Sequence, residues 1–492
     1  MKKTAMLALM LALCLLCGGA QALTMTGLET DVVDRQWETN AFFPRMEALT
    51  GVTVVAHGIS DPAEYAQLLS AMEKGDVAYE VLFKAGLSRE QEAALLESGA
   101  IIDLAPHIEA NMPNLHALLE QNPQWREIIT LEDGRIASLP MINPHERQVM
   151  LWINQTWLDR LGVAAPQTLS ELTDALQAIR TRDPNGNGRK DEQALDLLGV
   201  YEMRWLLPYF GVVADDYNLA RDAQGQIVFA PQMPEYRAFI AQLKAWREAG
   251  LLRKDAFTGT HNTLELSQEK EETATSGVLL SASPFTHVPI DAVTDYVPLL
   301  LAGPDCSVRW RDLLGEIWTG CFAVTSKCAD VASALRWADA LYGEAGALLA
   351  YAGVEDEDYY FTGEGYWAFL LTQDQDVNGI RANSVIYTGA ATPGIYPMDF
   401  IRRVDSAPDR HVFAASEQAK AVSEQVTAAY TLPLADQRRA DELAAVLGGL
   451  VDTGIARFVT GETPLTDESY AAWLSELEAA GSAELVSLYA GK

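Results

Sequence analysis

A short stretch near the middle of the sequence carries the residue types that bind a hard metal ion. Residues 183–192 place oxygen-bearing groups at alternate positions, and glycines between them allow the backbone to curl around a centre. The predicted calcium ligands are the side chains of Asp183, Asn185, Asn187 and Asp191 and the carbonyl of Arg189. The glutamate usual at the end of an EF-hand-type loop is replaced by Ala194, so Glu192 is the candidate to complete the shell. An ordinary Asn/Gly surface turn is the alternative, but this register favours structural calcium.

The charge balance excludes several classes of function. The chain has 492 residues with 36 Lys and Arg against 68 Asp and Glu, a formal net charge of -32. Such a chain repels polyanions, which argues against nucleic-acid binding. Its seven histidines include no H-E-x-x-H pair, which removes the usual zinc-hydrolase pattern.

The amino terminus is typical of a secretory signal. Lys2 and Lys3 precede an apolar block over residues 5–16, and small residues lead up to Leu23. We expect residues 1–22 to be removed, which leaves a net charge of -34 because two lysines are lost. The apolar block is shorter than the roughly 20 residues of a membrane-spanning helix, so an uncleaved anchor is the less favoured alternative.

The cysteines bear on attachment and redox state. Cys14 and Cys17 each follow a leucine instead of the small residue that lipidation needs, so a lipid anchor is disfavoured. Cys306, Cys321 and Cys328 remain in the mature chain, an odd number that permits at most one internal disulfide. Buried unpaired thiols are the preferred interpretation.

The elements that must position these residues alternate between strand and helix. Strand-like runs at 22–28, 52–56 and 79–83 are separated by helical segments, a pattern typical of a parallel α/β sheet. Since the carboxyl ends of such strands meet at one edge, the loops after Leu28 and Phe83 are candidate ligand sites.

Later segments continue the pattern and become mainly helical toward the carboxyl end. Thr168 and Ser170 are the two candidate caps of a helix that ends near Arg180. A hairpin at 222–231, a helix at 234–249 and a strand at 277–282 are followed by helices at 417–430, 437–453 and 467–480. The absence of a low-complexity linker predicts two lobes that the chain crosses more than once.

One region resembles a known family. The segment LWINQTWLDRLGVAAPQTLSEL at 151–172, followed by the 183–192 loop, resembles the carbohydrate-type (family 1) extracellular solute-binding proteins of bacterial ABC importers. It is most similar to the long subgroup with a calcium loop, which includes alginate-oligosaccharide binders. Weaker matches are GRIASLP at 134–140, GQIVFAP at 225–231, LRWADALY at 335–342, YAGVE at 351–355 and ARFVTG at 456–461.

The resemblance implies an α/β, two-lobe periplasmic-binding-protein-like fold with hinge strands, a largely helical C-terminal third and closure on a sugar. Lobe 1 is expected at 23–144 plus about 286–330, and lobe 2, which carries the calcium loop, at 145–285 plus about 331–492. The resemblance also assigns the calcium role to the same residues of the loop.

A sugar site needs aromatic platforms for apolar C–H faces and polar groups for hydroxyls. Aromatic residues next to expected strand ends or lobe crossings are Trp37, Trp152, Trp205, Tyr209, Phe285, Trp318, Trp367 and Tyr396. The polar candidates are Glu29, Asp31, His145, Glu146 and Arg204. Core packing is the alternative for each aromatic residue, and Trp157 and Trp337 are assigned to the core.

The sequence thus predicts an exported, non-enzymatic, monomeric receptor, periplasmic or at the cell surface, that delivers an oligosaccharide to an ABC permease. The total charge favours a neutral or aminated sugar. A secreted, calcium-stabilised polysaccharide-degrading enzyme and a receptor that presents its ligand to a sensor kinase are the alternatives.

Overall fold

The computed structural model describes residues 22–490 except 33–34, 146–148, 198, 254–255, 258–273, 303–307, 312–315, 374, 388–390 and 425–431. The predicted signal peptide up to residue 21 and Cys306 lie outside the described residues. Cys321 and Cys328 are free thiols.

The described elements alternate between strand and helix along most of the chain. The strands are β1 (Leu23–Leu28), β2 (Val54–Ile59), β3 (Val81–Phe83), β4 (Leu139–Asn143), β5 (Met150–Asn154), β6 (Gln193–Asp196), β7 (Leu219–Arg221), β8 (Ile227–Phe229), β9 (Ser276–Ser281), β10 (Tyr296–Pro298), β11 (Trp310–Arg311), β12 (Glu316–Val324), β13 (Tyr359–Phe361), β14 (Trp367–Phe369), β15 (Gly394–Ile395) and β16 (Ser423–Glu424). The α-helices are α1 (Phe42–Thr50), α2 (Pro62–Glu73), α3 (Arg89–Glu97), α4 (Ala105–Asn111), α5 (Pro113–Gln121), α6 (Pro123–Ile129), α7 (Gln155–Leu161), α8 (Leu169–Thr181), α9 (Val200–Met203), α10 (Pro234–Glu248), α11 (Val331–Asp339), α12 (Glu344–Tyr351), α13 (Val377–Asn383), α14 (Met398–Ile401), α15 (Ala407–Lys420), α16 (Leu434–Thr460), α17 (Asp467–Ala479) and α18 (Ser482–Tyr489). Short 3-10 helices cover Arg204–Phe210, Ala230–Gln232, Pro284–Thr286, Ile290–Asp295 and Ala340–Tyr342.

The chain divides into two compact units. Unit 1 consists of Met1–Pro144 and Gly315–Asp405, and unit 2 of His145–Leu314 and Ser406–Lys492. The structure thereby corrects two of the lobe boundaries expected from the sequence. Residues 286–314 belong to unit 2 because β10 pairs with β5, and residues 331–405 belong to unit 1 because β15 pairs with β4. Both corrections concern pairing between strands that are far apart in sequence.

Unit 1 is built on a six-stranded sheet of order β15-β4-β12-β3-β1-β2. Strand β12 runs antiparallel to both neighbours, β3 and β4, whereas the other adjacent pairs are parallel. An aromatic core lies against this sheet: Phe42 and Trp337 both contact Phe83, which is fully buried in β3. The burial of Trp337 confirms its predicted place in the core.

Unit 2 is built on a four-stranded sheet of order β10-β5-β9-β6. Strand β5 is antiparallel to both neighbours, and β6 is parallel to β9. Helices α7 and α8 begin at caps whose side chains accept backbone N–H groups: Asn154 accepts from Trp157, and Thr168 forms a capping box with Glu171. Trp157 is buried, which confirms its predicted core position.

The longest described helix is α16, with 27 residues. It is the one helix among the described residues whose length and composition would also suit a membrane span. Several of its apolar side chains, including Leu447, Val451 and Ile455, are fully buried in the core of unit 2, whereas Val446 is 57% exposed. Packing in that core accounts for the apolar residues at the buried positions.

Candidate functional site

The direction of the strands in unit 1 determines where the candidate site lies. Because β1, β2, β3, β4 and β15 all run the same way, their carboxyl ends meet at one edge, and the amino end of the reversed β12 lies there too. We call this the carboxyl edge. The prediction that the loops after Leu28 and Phe83 lie together is confirmed by the parallel pairing of β1 with β3. In sheets of this kind, ligands bind outside the carboxyl ends of the strands.

Glu29 follows β1 at the carboxyl edge, but its carboxylate is buried. Its Oε2 accepts hydrogen bonds from Arg35 Nη1 at 3.0 Å and from Trp37 Nε1 at 2.9 Å, and Lys84 Nζ lies 3.2 Å from the same oxygen. Burial alone would raise the pKa of Glu29, but the charges of Lys84 and Arg35 outweigh it and hold the pKa below its ordinary value. Glu29 is therefore ionised at neutral pH and bound internally.

Asp31 shares Lys84 with Glu29. Lys84 Nζ donates to Asp31 Oδ2 at 2.6 Å, and the Lys84 side chain is 1% exposed, whereas Asp31 keeps 23% of its side-chain surface accessible. Lys84 follows β3 and has a φ of 49°, in the left-handed region that side chains other than glycine rarely adopt. Of the candidate carboxylates, Asp31 is thus the one presented to solvent at the carboxyl edge.

Trp318 is an exposed aromatic residue at the same edge. It lies near the amino end of β12, opposite Met141, and is 48% exposed. A β-bulge follows directly, between Trp318 and Phe322. Gly320 permits it with a φ of 75° and a backbone N–H that donates to Ser138 Oγ at 2.7 Å. Because bulges redirect neighbouring side chains, this local feature accounts for an indole that faces solvent.

Tyr396 is the second aromatic candidate at the carboxyl edge, directly after β15. Its half-buried ring lies 4.3 Å from that of Tyr387 and 5.9 Å from that of Tyr351, measured between centroids. Trp367 lies elsewhere in unit 1, in a small cluster of its own, where it is buried and stacks on Phe400 with ring centroids 4.5 Å apart. Trp367 is therefore corrected to a core residue.

Three further aromatic candidates are also core residues. Trp37 and Tyr209 are 1% exposed and Trp152 is fully buried. The Tyr209 hydroxyl accepts from Leu151 N at 2.8 Å and donates to Leu299 O at 2.9 Å, so it joins two strand ends within unit 2. These rings have no accessible face for a ligand, and the expectation that they form platforms is corrected.

Arg204 and Trp205 line a small pocket of unit 2. Arg204 Nη1 donates to Asn218 Oδ1 at 3.2 Å, and its Nε lies 3.3 Å from Asp452 Oδ1. The pKa of Asp452 is raised, because the effect of burial exceeds the opposite effect of the nearby Arg204 charge. The pocket is lined by Arg204, Trp205, Leu207, Ala214, Asp215, Asp216 and Asn218. Arg204 is thus part of an internal polar network.

The remaining candidates of unit 2 follow its strand connections. Phe285 is half-buried after β9, and its ring packs against the core. His145 is 3% exposed, with its ring 4.9 Å from that of Phe413. Burial of His145 leaves it little surface for a ligand, so it is corrected to a buried residue. Glu146 lies outside the described residues.

The predicted calcium loop is described in full and folds around its own oxygens. Asp183 accepts from the backbone N–H groups of Asn187 and Gly188 at 3.1 and 2.8 Å. Asn185 Oδ1 accepts from Asn187 N at 3.1 Å, and Asn187 Oδ1 accepts from Arg189 N at 2.7 Å. The side-chain oxygens at the first, third and fifth positions of the loop therefore lie close to the same short run of backbone.

Glu192 is the residue of the loop that most needs a partner. It is 3% exposed, and its Oε1 is buried without a hydrogen bond. Burial raises the pKa of Glu192, and the negative charges of Asp191 and Asp183 raise it further. An ionised Glu192 in this environment is stabilised by a cation, so the donor set fits calcium. Among the described residues, no three His, Cys, Asp or Glu side chains alone could hold an ion, so the set depends on amide and carbonyl oxygens as well.

Sequence comparison finds relatives that match part of the chain. No family model matches it. The fructooligosaccharide ABC transporter substrate-binding protein FusA of Streptococcus pneumoniae serotype 4 is 30% identical over 231 residues, 44% of this chain and 42% of that protein. The polygalacturonan/rhamnogalacturonan-binding protein YtcQ of Bacillus subtilis is 24% identical over 43% of this chain and 41% of that protein. The match thus spans about two fifths of the length of each curated relative.

Solved structures match nearly the whole chain. An extracellular solute-binding protein from Bifidobacterium longum subsp. infantis superposes with a TM-score of 0.77 at 19% identity, over 96% of this chain and 98% of that one. FusA in complex with kestose superposes with a TM-score of 0.68 at 19% identity, over 95% and 98%. This chain has the solute-binding-protein fold. The α/β fold class that the sequence predicts, and the resemblance that pointed to it, are confirmed.

Two further structures of the same fold bear on the calcium loop. One is an EF-hand mutant of FusA in complex with fructo-nystose, with a TM-score of 0.65 at 18% identity over 95% of this chain. The other is the alginate-binding protein AlgQ2 without calcium ion, with a TM-score of 0.65 at 16% identity over 96% of this chain. Calcium or an EF-hand is thus named for proteins of this fold.

Sequence reasoning missed Lys84 and Arg35, the two cations of the carboxyl edge. Both are buried, and a lysine after a strand is typical of a solvent-exposed turn. The available signal was position: Lys84 directly follows Phe83, in the loop already singled out after the third strand.

Proposed function

We propose that this chain is an exported solute-binding protein that captures an oligosaccharide and delivers it, chemically unchanged, to the permease of an ABC importer. The observation that carries the proposal is the exposed indole of Trp318 at the same sheet edge as the carboxylate of Asp31. The fold supports it, because FusA and YtcQ are named as carbohydrate-binding proteins.

The chemistry of the edge suits a sugar. An indole face packs against the apolar C–H face of a pyranose or furanose ring, and a carboxylate accepts hydrogen bonds from hydroxyls. Tyr396 adds a second ring after β15. Hydroxyl recognition of this kind binds and orients a sugar without a reaction step, which supports a receptor.

The alternative is a polysaccharide-degrading enzyme, and the test must distinguish it from a receptor. The relatives that match are named as binding proteins, which supports a receptor at the level of the family. Export by the predicted signal peptide, a monomeric state, closure of two lobes on the ligand and the permease partner stay predictions.

Calcium belongs to the proposal as a structural ion. Asp183, Asn185, Asn187, Asp191 and Glu192 and the Arg189 carbonyl would hold it. Its support is the buried Oε1 of Glu192, which lacks a hydrogen bond. The ion would offset most of the negative charge of the loop's carboxylates and stabilise the connection between α8 and β6.

Isothermal titration calorimetry against a panel of oligosaccharides, followed by product analysis, tests the function. We expect one class of sugar to bind with a stoichiometry of one and to be recovered intact. Trp318→Ala is expected to weaken that binding, whereas Tyr360→Ala, which removes a 40% exposed ring from β13 of the same unit, serves as the control. Reducing ends that accumulate over time would overturn the receptor in favour of the enzyme.

A further inference from the structure

Four described charged groups after β1 and β3 form one cluster at the carboxyl edge, and within that cluster Asp31 is the most accessible to solvent. Glu29, Arg35 and Lys84 have side chains at most 1% exposed, and Asp31 is 23% exposed. Lys84 Nζ lies 3.2 to 3.3 Å from both Glu29 oxygens and 2.6 Å from Asp31 Oδ2. Within this cluster of described residues, two carboxylates balance two cations, and the charge that reaches solvent is the negative one of Asp31.

The backbone of Lys84 shows that its ammonium is the reason for its position. A φ of 49° suits glycine, and a lysine there is strained. A turn alone would gain nothing from lysine at this residue. What lysine adds is the ammonium that crosses from the loop after β3 to the loop after β1 and holds Asp31.

The hydrogen bond from Lys84 leaves part of Asp31 available. It engages Oδ2, and Oδ1 is the second acceptor of the same carboxylate. Buried neighbours fix the ammonium, so the Asp31 carboxylate is held in one orientation before a ligand arrives. Such preorganisation lowers the entropy cost of binding hydroxyls.

We propose that Lys84 is a positioning residue for Asp31, and that Asp31 selects uncharged oligosaccharides over those that carry carboxylates. The inference rests on the proposed function. A fixed carboxylate accepts hydrogen bonds from neutral sugar hydroxyls and repels a uronate carboxylate. The curated relatives make the distinction a real one, since FusA is named for fructooligosaccharides and YtcQ for polygalacturonan.

The test compares two sugar classes on the unaltered protein and two variants by isothermal titration calorimetry. The probes are neutral trisaccharides of fructose, glucose, galactose and mannose, and trisaccharides of galacturonate and mannuronate. Asp31→Asn removes the charge and keeps the shape. Asp133→Asn is the matched control, because it removes an exposed carboxylate of the same unit in the turn before β4, at the opposite edge of the sheet.

We expect Asp31→Asn to raise the Kd of the best neutral trisaccharide about tenfold and to lower the Kd of the best uronate severalfold. Asp133→Asn should change neither by more than about twofold. Effects of opposite sign distinguish selection from a general loss of structure, which would weaken both classes. The inference would be overturned by uronates that bind the unaltered protein as tightly as neutral sugars, or by an unchanged neutral Kd in Asp31→Asn.

The positioning role has its own readout. If Lys84 acts through Asp31, the double variant Asp31→Asn/Lys84→Met binds neutral sugar no more weakly than Asp31→Asn alone. Additive losses would refute positioning. Should Lys84→Met fail to fold, the opposite signs in Asp31→Asn still decide selection. Binding of neither class to the unaltered protein would overturn the proposed function itself, and the inference with it.

Discussion

Replacement of Lys84 by methionine tests the electrostatic account of the carboxyl edge through stability alone. Methionine keeps the length and apolar stem of the side chain and removes the ammonium. Breaking a buried ion pair by removal of one partner costs about 3–5 kcal/mol. Glu29 retains the hydrogen bonds from Arg35 at 3.0 Å and Trp37 at 2.9 Å, so we expect the lower part of that range, about 3–4 kcal/mol.

The assay is urea and thermal unfolding followed by circular dichroism. At about 2–4 °C per kcal/mol for a unit of this size, the melting temperature of unit 1 should fall by about 6–16 °C. Lys244→Met is the control, because Lys244 pairs with Glu248 on the surface of helix α10 and should cost at most about 0.5 kcal/mol. A cost for Lys84→Met no larger than the control would refute the reasoning.

Three more predictions follow from burial, charge and backbone geometry. Trp318→Ala should weaken sugar binding about tenfold or more, with little change in stability because the ring is 48% exposed. Trp152→Ala, by contrast, should lower the free energy of unfolding by about 3–5 kcal/mol, because Trp152 is fully buried. Gly320→Ala should cost about 2 kcal/mol or more, because its Cβ would lie 2.0 Å from Leu87 O at a φ of 75°, and sugar binding should fall as well if the bulge sets the angle of the indole. Burial and neighbouring carboxylates raise the pKa of Glu192 in the folded protein, so ionisation of Glu192 opposes folding. In the presence of a chelator, the free energy of unfolding should therefore fall as the pH rises above about 4.5. The stabilisation by added calcium should grow over the same pH range. Glu192→Gln should match or exceed the unaltered protein in chelator and gain less from calcium; equal calcium gains in both proteins would contradict the loop assignment.

Local signals in the sequence predicted many of the elements. The helix expected at 234–249 is observed at Pro234–Glu248. Of the two candidate caps, Thr168 accepts from Glu171 N in a capping box, whereas Ser170 lies inside the helix. These features depend on residues within a few positions of each other, which is why a single sequence predicts them.

Features that depend on distant partners were predicted less well. One local signal was also missed: the helix expected at 417–430 is observed at Ala407–Lys420, where Ser406 is the cap and Pro408 lies in the first turn. Residues 425–430 of the expected helix lie outside the described residues. Residues 331–405 belong to unit 1 through the pairing of β15 with β4. No local pattern specifies which sheet a two-residue strand such as β15 will join.

The candidate site shows the same division. Asp31, Trp318 and Tyr396 were expected from their places near strand ends, and they lie at the carboxyl edge. Trp37 and Trp152 satisfy the same criterion but are buried. Which face of a strand or loop packs inward depends on the neighbouring elements, and sequence position alone does not reveal it.

The central claim, that the carboxyl edge of unit 1 binds an oligosaccharide without altering it, is tested most directly by a crystal structure with the best-binding sugar. The account predicts an intact sugar with one ring against the Trp318 indole and a hydroxyl within hydrogen-bonding distance of Asp31. A sugar bound away from both residues, or present only as cleaved product, would contradict it.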